Sequence, residues 1–108
     1  MLLIYKGTVI TEWDEGSRIC DQIFFSKESV DYFVSCLAAV TVHSDIDGWL
    51  INIENPIAES MIKNIIYFFK SLKMVLSILG KNSIIIWYDS VTRQGKLDWQ
   101  NELNILNR

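Results

Sequence analysis

The sequence is poor in the groups that most often announce a function by themselves. It has one histidine and two cysteines. Cys20 and Cys36 form no C-x-x-C pair and His43 stands alone, which excludes a multi-histidine or Cys/His metal site. Each thiol is expected to be reduced and buried, because free cysteine packs as a small hydrophobe. His43 is expected in a loop or at a helix end. An excess of basic charge is missing too: 10 Lys and Arg stand against 13 Asp and Glu, a formal net charge of -3, and the cations are scattered. A polyanion needs a basic stripe, so nucleic acid is excluded as a partner. The opening Met1-Leu2-Leu3-Ile4-Tyr5-Lys6 is too short an apolar run for a secretory leader. The long apolar stretch from Ile57 to Leu79 is broken by Glu59, Lys63, Asn64, Lys70 and Lys73. That pattern fits a buried amphipathic helix rather than a membrane span. A soluble cytosolic chain without metal, cofactor or membrane contact is the expectation.

What is present is apolar material: 50% of the 108 residues are hydrophobic and 21% charged. This composition excludes disorder and suits one compact domain, 1–108. The chain reads as strand–helix units. Gly7–Trp13 is β-branched and strand-like, and the polar Asp14-Glu15-Gly16-Ser17 that follows reads as a solvated loop. Ser26 is placed to cap a helix from Lys27 to Val42, with Val30, Phe33, Val34, Leu37 and Thr41 at the spacing of one buried face. A second strand, Gly48–Glu54, precedes Pro56, which suits the first turn of a helix from Ile57 to Leu79. Gly80 is the expected stop. Ser83–Asp89 reads as a third strand and Leu97–Leu106 as an amphipathic tail. Apolar strands alternating with helices imply a parallel sheet covered by helices. A closed eight-unit barrel takes about 250 residues, so these units form a small open α/β domain or part of something larger.

Alternation along the second strand puts Trp49, Ile51 and Ile53 on one face and Leu50, Asn52 and Glu54 on the other. The first set is the expected helix-facing side. The second ends in an amide and a carboxylate at the C-terminal end of a parallel strand, where the active sites of such sheets are built. Their Cα atoms should lie roughly 6.5–7 Å apart, close enough for both to touch one small ligand group. A structural reading competes: Asn52 and Glu54 begin a loop, and Glu54 favours the positive end of the next helix. Tyr88 is equally a core residue with its hydroxyl at the rim, and Trp13 and Trp99 are more often packing residues than sugar platforms. Lys63, Lys70 and Lys73 read as the wet side of a helix.

Several strings carry a resemblance: Gly7-Thr8-Val9-Ile10-Thr11-Glu12-Trp13-Asp14-Glu15-Gly16, Asp47-Gly48-Trp49-Leu50-Ile51-Asn52-Ile53-Glu54-Asn55 and Trp87-Tyr88-Asp89-Ser90-Val91-Thr92. Gly95 and Trp99-Gln100-Asn101-Glu102-Leu103-Asn104 follow in the same order. Together they resemble the animal-type cytosolic endo-β-N-acetylglucosaminidases of glycoside hydrolase family eighty-five, over nearly the whole chain. The resemblance implies a partial (β/α)8 TIM barrel, about three strand–helix units of parallel sheet, with further strands before Gly7 and after Asn104. It implies hydrolysis of the N,N'-diacetylchitobiose core of N-linked glycans, or of free oligosaccharides carrying that core, without a cofactor.

Such enzymes depart from the two-carboxylate rule and use the substrate's own acetamide as nucleophile through an oxazoline. The resemblance makes Glu54 the acid/base and Asn52 the residue that orients the acetamide. It makes Tyr88 a third catalytic residue, assisting the same acetamide, and assigns substrate contacts to Trp13, Asp89 and Trp99. Two other readings are a non-catalytic remnant with at most weak glycan binding and an unrelated α/β enzyme using Glu54 and Asp89 on a divalent metal. The isolated polypeptide is expected to be unstable or to aggregate, because its sheet edges lack partners.

Overall fold

The computed structural model describes residues 6–81 and 84–87. Strand β1 (Lys6–Glu12) leads into helices α1 (Trp13–Ile23) and α2 (Lys27–Ser44). Strand β2 (Gly48–Glu54) is followed by a 3₁₀ turn at Glu59–Met61, helix α3 (Ile62–Ile78) and strand β3 (Ile84–Trp87). The strands form one sheet in the order β1-β2-β3, and both pairings are parallel. The α/β class and the parallel sheet of the sequence reading are therefore present.

The helices pack on one side of this sheet. Trp49, Ile51 and Ile53 are buried among Val30, Val34, Leu37, Ile65, Phe68, Leu72 and Leu76, with Val9, Ile85 and Trp87 against the same core. Phe68 is fully buried and ring-packed with Phe24, Phe33 and Phe69, at centroid separations of 5.6, 5.6 and 5.3 Å. Two polar clusters drawn into this core are hydrogen-bonded, as burial demands. Trp49 donates its indole N–H to Thr41 Oγ1 at 2.9 Å, and Thr41 donates to the Leu37 carbonyl at 2.7 Å. Asn64 is buried in α3 and donates to the Phe24 carbonyl at 2.8 Å. Lys63, Lys70 and Lys73 lie on the exposed side of α3, as their spacing requires.

Local signals explain where α2 and α3 begin and end. Ser26 accepts from the Ser29 N–H at 3.1 Å while Ser29 Oγ accepts from the Ser26 N–H at 3.0 Å, a reciprocal cap that starts α2. His43 falls in the last turn of that helix. Gly80 ends α3 with φ of 74°, and the Gly80 and Lys81 amides bond back to the Ser77 and Leu76 carbonyls.

Three expectations need correction. The segment Asp14–Ser17 is the first part of α1 and not a loop. Gly16, Cys20, Ile23 and Phe24 recur at helical spacing and face the sheet, while Asp14 and Glu15 stay exposed in the first turn, where acidic groups favour the helix dipole. The helix expected from Ile57 starts at Ile62. Ala58 is extended, with ψ of 131°, and Ile57 is buried in the core, so Pro56 does not open a helix. Finally, Cys20 is buried but Cys36 is exposed. Cys36 lies off the stripe of Val30, Val34, Leu37 and Thr41 that α2 buries. Leu97–Leu106 lies outside the described residues.

Candidate functional site

A parallel sheet collects the ends of all its strands on one edge, and here that edge gathers polar side chains. In register, Ile10 lies beside Asn52 and Glu12 beside Glu54, so the last residues of β1 and β2 are neighbours. The face opposite the helices carries Ile10, Leu50, Asn52, Glu54 and Ile86. Ile10 and Ile86 are 58% and 42% exposed there, in contrast to the closed core on the other side.

Asn52 and Glu54, placed on one face by their two-residue spacing, are also in direct contact. Asn52 Nδ2 donates to Glu54 Oε1 at 2.9 Å. The Asn52 amide is thereby oriented, and its Oδ1 points the other way, out of contact with water and without a hydrogen-bond partner. A buried acceptor left unpaired costs about 1–3 kcal/mol. Its accepting capacity is therefore unused among the described residues. The structural reading of Glu54 as a helix-end charge loses force, since α3 begins at Ile62 and the recorded partner of Glu54 is Asn52.

Trp13 stands at the end of β1 with 78% of its surface exposed. Its φ of 61° turns the strand straight into α1 without a loop. Left-handed backbone in a bulky residue costs about 1–2 kcal/mol, so the surrounding fold must hold it. Tyr88, Asp89 and Trp99 lie outside the described residues. No group of three His, Cys, Asp or Glu side chains converges on a metal site among the described residues.

The helix-facing side of the same strand ends holds a second polar group that sequence reading did not single out. Asn55 is fully buried, continuing the alternation of Trp49, Ile51 and Ile53. It donates Nδ2 to the Pro56 carbonyl at 3.1 Å, and Ser17 Oγ from α1 reaches that carbonyl at 3.3 Å. Thr11 Oγ1 and Cys20 Sγ are 3.4 Å apart beside them. Burial pushes the Cys20 thiol up from its ordinary range, while hydrogen bonds with Thr11 and Asn55 pull it partly back. Glu12 was also missed as a neighbour of Glu54. Strand alternation alone could have exposed Asn55, whereas the position of Glu12 needed the register.

The fold and this edge define an α/β protein with a polar site at the carboxyl ends of parallel strands. The chain belongs to glycosyl hydrolase family 85, whose model matches residues 4–108. It is 46% identical over 102 residues to "Cytosolic endo-beta-N-acetylglucosaminidase 2" of Arabidopsis thaliana, covering 94% of this chain and 15% of that protein. It is 41% identical over 102 residues to "Cytosolic endo-beta-N-acetylglucosaminidase" of Danio rerio, covering 94% of this chain and 14% of that one. The human protein of the same name is 40% identical over 103 residues, again with 94% and 14% covered. The chain thus spans about 15% of the length of the curated relatives it matches. No solved structure matches it.

Proposed function

We propose that the chain is the part of a cytosolic endo-β-N-acetylglucosaminidase that carries its acid/base and acetamide-orienting residues. The fold is then one section of a (β/α)8 barrel, with β1, β2 and β3 as consecutive barrel strands. The open face becomes the barrel interior and the helix layer its outside. Substrate sits at the carboxyl ends of the strands, the position that barrel enzymes share. The observation that carries the reading is the Asn52–Glu54 pair at that edge, with Asn52 Oδ1 unpaired.

The chemistry follows from those two groups. Asn52 Oδ1 accepts the N–H of the substrate's 2-acetamido group and turns the acetamide oxygen toward the anomeric carbon. Glu54, protonated, gives its proton to the glycosidic oxygen as the C–O bond breaks. The acetamide oxygen forms the new bond to the anomeric carbon, giving a protonated oxazoline (an oxazolinium ion) on the substrate whose N–H stays hydrogen-bonded to Asn52 Oδ1. Glu54, now a carboxylate, takes a proton from water, which opens the oxazoline and restores the sugar with retained configuration. Asn52 supplies orientation and charge stabilisation rather than a covalent bond. One carboxylate suffices, because the substrate brings its own nucleophile.

The substrate class is N-linked glycans or free oligosaccharides with a chitobiose core, and the reaction requires no cofactor. Trp13 offers an exposed aromatic face at the strand edge for a sugar ring. Tyr88, later in the chain, is assigned a catalytic part in assisting the acetamide, and Asp89 and Trp99 are assigned to substrate binding. The cytosolic assignment agrees with the names of the relatives. No helix among the described residues is long and apolar enough to cross a membrane.

The test is Glu54→Gln in the full-length protein, assayed on a high-mannose glycopeptide. Removing the proton donor should lower kcat by about a thousandfold or more, within the range general acid–base catalysis supplies. Turnover within tenfold of wild type would overturn the acid/base assignment. Asn52→Ala should also cut kcat, while a synthetic oxazoline donor, which needs no acetamide attack, should restore much of the rate.

A further inference from the structure

The acid/base residue is anchored from behind. Glu54 faces the open side of the sheet, and the next residue, Asn55, faces the helices with no exposed surface. Its Nδ2 holds the Pro56 carbonyl at 3.1 Å, which Ser17 of α1 also holds at 3.3 Å. Its Oδ1 is buried, has no partner at hydrogen-bond geometry and lies against Gly16 of α1. An apolar side chain would fill this space without leaving a buried acceptor unpaired. The contribution of the amide must therefore come from what Nδ2 fixes, which is the path of the chain leaving Glu54.

The room for this contact is made by α1. A Cβ built on Gly16 would come within 2.7 Å of Asn55 Oδ1 and 2.9 Å of the Thr11 carbonyl carbon. Glycine in a helix interior is normally unfavourable relative to alanine. Here it lets the amide, α1 and the end of β1 meet. Thr11 and Cys20, 3.4 Å apart, close the same cluster. The ends of β1 and β2 are thus tied to one helix directly beneath the carboxyl edge.

We propose that Asn55 is a positioning residue for Glu54, acting with Ser17 through the Pro56 carbonyl. Asn55 touches no substrate. It fixes the backbone so that the Glu54 carboxyl stays 2.9 Å from Asn52 Nδ2 and in line with the leaving oxygen. The proposal rests on Glu54 being the acid/base. A misplacement of about 1 Å at a reacting group can cost a hundredfold in rate.

The test compares Asn55→Ala, Ser17→Ala and Glu54→Gln in the full-length protein on a high-mannose glycopeptide, below each variant's melting temperature and with folded protein quantified by circular dichroism. Asn55→Ala should lower kcat about ten- to a hundredfold with KM unchanged within about twofold, since binding contacts are intact. Ser17→Ala, which removes one of the two donors to the Pro56 carbonyl, should lower kcat about two- to fivefold, again with KM unchanged. A merely structural role would reduce the amount of folded enzyme and leave kcat per folded molecule at the wild-type value, and that result overturns the proposal. If Asn55→Ala yields no folded protein, wild-type kcat in Ser17→Ala overturns it instead. An active Glu54→Gln would sink the acid/base reading, whereas an inactive Glu54→Gln with unaltered kcat in the other two sinks only the positioning role.

Discussion

The two faces of β2 carry residues from the same short segment to opposite ends. On the helix side Trp49, Ile51 and Ile53 are 5%, 1% and 2% exposed, and each is surrounded by core side chains. On the other side Leu50, Asn52 and Glu54 are only partly buried, with Ile10 of β1 and Ile86 of β3 exposed beside them. One face is complete as a core. The other combines apolar positions along the strands with polar groups confined to the carboxyl edge. The difference teaches that stability and chemistry are divided across the sheet by the pleat. Exchanging residues on the helix face changes how well the layers pack, while exchanging those on the open face changes what the edge presents.

The largest expected effect tests whether the open face is covered in the full-length protein. Ile51→Ala should cost about 2–4 kcal/mol in urea unfolding, because it opens a cavity in the finished core. If further barrel strands enclose the opposite face, Leu50→Ala should cost about the same. A Leu50→Ala cost under about 1 kcal/mol would break the barrel reading, since that is the cost of trimming a solvated side chain. Next in size is Thr41→Val. It keeps the shape but strips the Trp49 indole N–H of its acceptor, at about 1–3 kcal/mol by the same measurement. No loss of stability would mean that the indole finds another partner.

The smallest effect concerns the thiols. Because the native Cys20 thiol titrates above its ordinary value of 9.0, the folded state holds that proton more tightly than the unfolded state. Its stabilising contribution is fully present below that value and is lost as the pH rises through the higher native value. Cys20→Ala should therefore flatten the decline in stability between wild type at neutral pH and wild type above pH about 9. The same contrast shows in labelling: a thiol reagent at neutral pH should modify Cys36 in the native protein and Cys20 only on unfolding. Equal native labelling rates would contradict the burial of Cys20.

The amino-acid sequence by itself determined the alternation of strands and helices, the Ser26 and Gly80 helix boundaries and the two faces of β2. These depend on local chemistry: capping hydroxyls, a residue free to take positive φ, and periods of two and near four. It also placed Asn52 and Glu54 on one face, because their separation is fixed by the pleat. Local signals misled at Asp14-Glu15-Gly16-Ser17, where loop-like composition lies within a helix docked through Gly16, Cys20 and Phe24. They misled again at Pro56, where burial of Ile57 keeps the chain extended. Only the tertiary structure decided that Glu12 stands beside Glu54, that Asn52 donates to Glu54 and that Asn55 ties their strand end to α1. The first depends on the register of one strand against another and the last on a helix packed across the sheet, contacts set by the shared core rather than by any one segment. The Asn52–Glu54 bond depends on which rotamers the two side chains take within their own strand.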